Sequence, residues 1–161
     1  MDNYRVGIGF DLHRLEPGRP LVLANVTVPH TRGPVGHSDG DVVIHALIDA
    51  LTGAAGMPDV GELFPNTDPQ YKNINSARLM EKVVMALAAS PWRIVNVDVI
   101  VIAQQPKLSP YKLVMRSRLA ELLSIPVDRI NLKAKTHEHV DAIGQELAVS
   151  CHCVVLLALK S

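Results

Sequence analysis

The sequence predicts an α/β (α+β) sandwich, a mixed sheet with helices packed on one or both faces. Two observations carry this. Segments with apolar residues at every second position interleave along the chain with segments whose apolar residues recur at helical spacing. At 161 residues the chain also fits a single domain, expected over 1–161, with a core large enough to fold unaided.

The elements follow in order. Strict alternation of Val6, Ile8, Phe10 and Leu12 predicts a half-buried first strand whose other face carries Gly7, Gly9, Asp11 and His13. Short strands are expected at Leu21 to Leu23 and at Val26 to Val28, the second ended by Pro29. "GHSDGD" supplies Ser38, Asp39 and Asp41 as caps for a helix from about Asp41 to Ala55, with Ile44, Leu47, Ile48 and Leu51 on its apolar stripe and Gly56 as breaker. Gly, Pro, Asp and Asn crowd the stretch from Gly56 to Asn75, which predicts an irregular surface loop. A loop of that length usually has a function. A second helix is expected from Ser76 to Ala89, striped by Leu79, Met80, Val83, Val84 and Leu87, and "VNVDVIVIAQ" reads as a buried strand. After the "QPKLSP" turn, Ser109 as N-cap and Pro110 at the first helical position predict a third helix to about Leu123. Ile130 to Thr136 and Leu147 to Leu159 are the last strands, separated by "HEHVDAIGQE".

Sixteen basic side chains balance sixteen acidic ones. The chain as a whole therefore has no electrostatic attraction to nucleic acid or an anionic membrane, and an anionic substrate must be held locally. Cys151 and Cys153 lie two apart in an apolar run, which makes them same-face core thiols rather than a disulfide. With no basic-then-apolar start and no spanning apolar run, a cytoplasmic location is expected.

The chemistry-bearing residues begin at "GIGFDLH". Residues i and i+2 of a strand share a face, so Asp11 and His13 can share one ion, and Gly7 and Gly9 leave that face open. They read equally as an exposed strand end. His45, at the margin of the first helix's stripe near Asp41 and Asp49, is a third ligand or a partly buried structural histidine. Taken together, Asp11, His13 and His45 would leave one tetrahedral position open, as catalytic zinc sites do, and the ion would polarise a phosphoryl or carbonyl group. His37 and Ser38 either cap the helix or bind an anion at its N-terminus, and Lys107 stands similarly before the third helix. Thr136 and Glu138 end a strand, where they could serve a phosphate and a hard cation such as magnesium, or simply be solvated. No Walker lysine motif and no G-x-S-x-G elbow is present.

"GFDLH", "HSDGDVVIHALIDALTGAAGMPDVGELFPNTDP", "VNVDVIVIAQQPKLSP" and "INLKAKTHE" follow the order and spacing of the 2-C-methyl-D-erythritol 2,4-cyclodiphosphate synthase family. The resemblance covers nearly the whole chain, and its block from His37 to Pro69 is long and distinctive. It implies an intramolecular phosphoryl transfer. The 2-phosphate of 4-diphosphocytidyl-2-C-methyl-D-erythritol 2-phosphate attacks the β-phosphorus, giving 2-C-methyl-D-erythritol 2,4-cyclodiphosphate and CMP. Zinc on Asp11, His13 and His45, and a second divalent ion (magnesium or manganese) beside Glu138, are implied, with His37 and Thr136 stabilising the transition state. The resemblance also implies a homotrimer with sites between subunits and strands facing its centre.

By position, Asp11, Leu12, His13, His37 and Ser38, with Asp59, Val60, Gly61 and then Phe64, Pro65, Asn66, Thr67 and Asp68, match the erythritol side of the substrate site. Ala103, Gln104, Gln105, Pro106, Lys107, Leu108 and Ser109 match the nucleotide side, together with Lys135, Thr136, His137 and Glu138. The chain departs from the usual pattern at four places. Lys135 stands for a threonine, Asn66 for an aspartate, and Ala142 and Gln145 for a Phe and an Arg at the mouth of the trimer cavity. Two rival readings remain at this point. One is a metal-dependent phosphohydrolase using Asp39, Asp41 or Asp49 as base, and the other is a non-catalytic zinc-binding oligomer with a closed coordination shell.

Overall fold

The structure, a computed structural model, describes residues 3–160. The strands are β1 (Tyr4–Pro17), β2 (Leu21–Leu23), β3 (Val26–Val28) and β4 (Arg32–Pro34), followed after the first helices by β5 (Trp92–Ile102), β6 (Ile130–Lys135) and β7 (Ala148–Leu159). The helices are α1 (Val42–Ala55), α2 (Val60–Leu63), α3 (Ser76–Ala89), α4 (Lys112–Leu123) and α5 (Asp141–Gly144). Five strands form one mixed sheet in the order β4-β1-β7-β5-β6, and β2 and β3 form a separate hairpin. Among the described residues only the β5–β6 pair is parallel; β1 runs antiparallel to β7 from Tyr4↔Ala158 to Arg14↔Ala148, and its end turns to β4. Among the described residues no helix is long and apolar enough to cross a membrane.

The central helix α1 is apolar almost all round, as a helix enclosed between a sheet and other helices must be. Ile44, Leu47, Ile48 and Leu51 are all fully buried. Asp41 caps its start by accepting from the N–H groups of Val43 and Ile44, and Gly56 ends it in the left-handed conformation at φ 74°. The Asp41 carboxylate also accepts from the N–H groups of Ala24 and Asn25, which tethers the β2–β3 turn to the helix. Burial lifts its pKa to about 6 against the pull of those N–H donors. Burial likewise pushes the Cys153 thiol up to about 12 and raises Cys151 as well, so both cysteines are unreactive core residues, as expected.

Strand β1 corrects the expectation for its two faces. Val6, Ile8, Phe10 and Leu12, the row expected to be the half-buried one, are 50–72% exposed, whereas Gly7 and Gly9 are buried. A Cβ on Gly7 would come within 1.9 Å of the Ala50 carbonyl oxygen, and one on Gly9 within 1.8 Å of that of Ala46. The glycines therefore leave no room for a substrate; they admit the backbone of α1 onto the sheet. Alternation alone identifies two unlike faces, and here the bare face is the one that packs.

Two local differences follow from cap chemistry. Within the stretch 56–75, Asp59 and Asp68 accept backbone N–H groups and nucleate α2 and a 3-10 turn at Pro69–Tyr71, so the expected irregular loop is partly ordered. Ser109 makes no cap hydrogen bond; Ser109–Tyr111 is a 3-10 turn, and α4 starts after it at Lys112.

Candidate metal centre and substrate clefts

Asp11 and His13 project from β1, and His45 meets them from the first turn of α1, because the glycine face lets the helix lie close. The Asp11 Oδ2 atom is 3.0 Å from His13 Nε2 and 2.9 Å from His45 Nδ1, and the two ring nitrogens are 3.4 Å apart. Among the described residues this is the one group of three such side chains that could hold a metal ion. Its donor set of one carboxylate oxygen and two imidazole nitrogens suits zinc. His13 Nδ1 lies 2.7 Å from the Val35 carbonyl oxygen, which can only accept, so Nδ1 carries the proton and Nε2 faces the ion site. Burial acts to raise the Asp11 pKa, but the hydrogen bonds and charges of His13 and His45 outweigh it and hold the carboxyl well below the usual range. Burial acts to lower the His13 pKa, and the Asp11 carboxylate outweighs it and raises it.

The triad opens into a cleft of about 630 Å³ whose lining includes His37, Ser38, Val60, Gly61, Phe64 and Asn66. His37 Nε2 is buried without a hydrogen-bond partner. A second cleft, of about 680 Å³, is lined by every residue from Ala103 to Ser109, with Lys135 and Thr136. The two clefts have no lining residue in common.

Most of the residues expected at the site thus fall into two groups, and the rest lie elsewhere. Leu12 points to the uncovered face, at 50% exposure. Asp59 spends one carboxylate oxygen on the Glu62 N–H at 2.9 Å, and Pro65, Thr67 and Asp68 are outside the cleft lining. Glu138 accepts a hydrogen bond from the Thr136 hydroxyl and is not a member of the metal triad. His137 lies 3.0 Å from Asp141, and neither it nor Ala142 or Gln145 lines the second cleft. Sequence reading missed Tyr71, Ile74 and Leu79 in the first cleft and Ala134 in the second. For the apolar three no signal distinguishes a cleft wall from core; Ala134 was available as the neighbour of Lys135 on β6.

Each proposed general base is engaged elsewhere. Asp41 is fully buried and saturated by backbone N–H groups, Asp49 accepts from Val60 N at 2.8 Å, and Asp39 is bonded to Ser76 through both oxygens.

The sequence model of the YgbB family matches residues 4–158. The chain belongs to the YgbB family. Over 157 residues it is 46% identical to the chloroplastic 2-C-methyl-D-erythritol 2,4-cyclodiphosphate synthase of Oryza sativa, covering 98% of this chain and 71% of that one. The bifunctional IspDF of Campylobacter jejuni superposes with a TM-score of 0.94 at 40% identity; this chain spans 98% of its own length and 43% of that protein. The IspF of Plasmodium falciparum, solved as a CDP complex, superposes with a TM-score of 0.88 at 32% identity over 100% and 99% of the two chains. Family membership agrees with the resemblance drawn from the motifs, and the sheet with helices on one face is the architecture expected.

Proposed function

We infer that the chain is a 2-C-methyl-D-erythritol 2,4-cyclodiphosphate synthase. It converts 4-diphosphocytidyl-2-C-methyl-D-erythritol 2-phosphate to the cyclic diphosphate and CMP. The observation that carries this is the match along nearly the whole chain to proteins of that name, joined to an Asp-His-His triad at the floor of a cleft. In the reaction an oxygen of the 2-phosphate forms a bond to the β-phosphorus, and the bond from that phosphorus to the bridging oxygen breaks. CMP leaves with the electron pair. Catalysis of such a step is chiefly positioning and charge stabilisation.

Asp11, His13 and His45 would hold zinc, which supplies Lewis-acid polarisation of a phosphate oxygen. His37 lines the same cleft, its Nε2 buried and unpartnered, and is assigned to a phosphate. In the second cleft the backbone turn from Ala103 to Ser109 suits a cytosine, Lys107 and Lys135 offer cations to the phosphates, and Thr136 offers a hydroxyl. Glu138 is assigned to a second divalent ion, magnesium or manganese. As a single domain, each chain carries both clefts with no shared lining, and its uncovered β1 face is apolar. Both features support a homotrimer in which one subunit's metal cleft is completed by its neighbour's nucleotide cleft. We also assign a cytoplasmic location, which cell fractionation tests.

The hydrolase reading lacks a base in the metal cleft, since Asp39, Asp41 and Asp49 are all absent from its lining. A structural zinc would have a closed shell, whereas three donors converge here among the described residues. Phosphorus NMR of the products decides. CMP with a cyclic diphosphate is expected; CMP with a linear diphosphate or free phosphate would establish hydrolysis instead.

A further inference from the structure

His45 has a second set of contacts, on the side of its ring away from the triad. Its Nε2 lies 2.9 Å from Ser76 Oγ and 3.1 Å from Ser38 Oγ. Ser76 is fully buried at the start of α3. Its neighbour Asp39 accepts from Ser76 N at 2.9 Å, from Asp41 N at 3.1 Å and from the Ser76 hydroxyl. A hydroxyl has one proton to donate and two lone pairs. With its proton committed to Asp39, Ser76 Oγ can only accept from His45. Ser38 fits the same count: its Oγ accepts from Gly40 N at 3.3 Å and its proton reaches Ser76 Oγ at 3.3 Å.

We propose that Ser76, oriented by Asp39, is a positioning residue that holds the proton of His45 on Nε2, so that Nδ1 presents its lone pair beside Asp11 and His13 to a divalent metal ion. The inference rests on the metal-site reading above and deepens it. A neutral imidazole has one N–H and one free lone pair, and which nitrogen binds a metal is set by the partner of the other. His13 is fixed by the Val35 carbonyl in the opposite sense, with Nδ1 protonated and Nε2 directed at the same point. The two histidines thus offer different nitrogens to one ion, each locked by an acceptor behind it. Nothing in the primary structure links Ser76 to His45, which lie 31 residues apart.

The test uses the full-length protein stripped of metal, with zinc affinity measured by competition against a chromogenic chelator. Ser76→Ala is expected to weaken zinc binding about ten- to a hundredfold, and Ser76→Thr, which restores the hydroxyl, to return to within about threefold of the parent. Ser76→Cys fills nearly the same space with a poor acceptor; it is expected to weaken zinc binding like alanine, and it keeps the test decisive should the alanine variant unfold. Unchanged zinc affinity in both Ser76→Ala and Ser76→Cys, or a folded Ser76→Thr that fails to recover binding, would overturn the assignment. His45→Ala separates the two levels. If it binds zinc as the parent does, the metal-site reading itself fails; if it loses zinc while the Ser76 variants keep it, the positioning role alone fails.

Discussion

Gly9→Ala is the sharpest test of how the site is built. A methyl group at residue 9 would lie 1.8 Å from the Ala46 carbonyl oxygen and 2.8 Å from Ala50 N, where contacts under 3.0 Å are essentially never found. The obstacle is helix backbone, so no rotamer change relieves it. Helix α1 must retreat from β1 by about 1 Å or more, and a gap of 0.5–1 Å already forfeits roughly a quarter to a half of the dispersion well along a packed seam. Ordinary overpacking costs about 1–3 kcal/mol, and a backbone clash against a buried central helix is expected at or above the top of that range. Because Ala46 follows His45 directly, the same retreat pulls Nδ1 from its 2.9 Å approach to Asp11, beyond the ~0.2 Å that metal-ligand distances tolerate. Urea unfolding should therefore show a much lower midpoint, and chelator competition a loss of zinc affinity in whatever fraction stays folded. Gly53→Ala on the same helix is the control. Nothing lies within 4 Å of its added methyl, so it should be neutral or stabilising by up to about 1 kcal/mol. A Gly9→Ala protein with the parent's midpoint and full zinc affinity would refute the close helix–strand contact as the basis of the triad.

Glu138→Gln should retain zinc while raising the magnesium concentration needed for half-maximal CMP release; an unchanged magnesium titration would remove Glu138 from the second ion. For the metal-free protein, the depressed Asp11 pKa contributes stability above its ordinary 3.8 that is lost as pH falls toward the folded value, and the raised His13 pKa contributes stability below 6.5 that is lost as pH rises through its folded value. Denaturant midpoints should thus show the pair's full contribution only between 3.8 and 6.5, while zinc affinity should fall as pH drops and His13 takes up its proton; a zinc affinity flat across pH 5–8, roughly the histidine titration range, would contradict this. Ile8→Lys, on the uncovered face at 72% exposure, should leave zinc affinity and the unfolding midpoint of the single chain within about 0.5 kcal/mol but abolish self-association in sedimentation experiments. If sites lie between subunits, CMP release must fall with it.

The legible and illegible parts of the fold divide by the range of the interactions that set them. Helix α1 could be read because its signals are local: Asp41 before it, Gly56 after it, and apolar residues at helical spacing between. The one-turn α2 and the 3-10 turn at Pro69–Tyr71 were missed because a single aspartate cap in a Gly- and Pro-rich stretch looks like any turn. The triad was legible in part. Asp11 and His13 share a strand face by period alone, but His45 joins them only through the packing of α1 on Gly7 and Gly9. Ser76 carries no such signal, since its role exists only once α3 starts beside Asp39.

The inversion of β1 ties these parts together. A strand with side chains on both faces could not bring His45 within reach of Asp11, because the helix backbone would be held off by Cβ atoms at residues 7 and 9. Removing them concentrates the strand's apolar side chains on the opposite face, where Val6, Ile8, Phe10 and Leu12 stand exposed beside Val154. Covering a side chain of that kind fully is worth about 1.5–3 kcal/mol, so a row of them is a strong reason to associate. The feature that brings Asp11, His13 and His45 together on one face of β1 thus leaves an uncovered apolar row on the other. A strand of ordinary composition would lack both the triad and the sticky face.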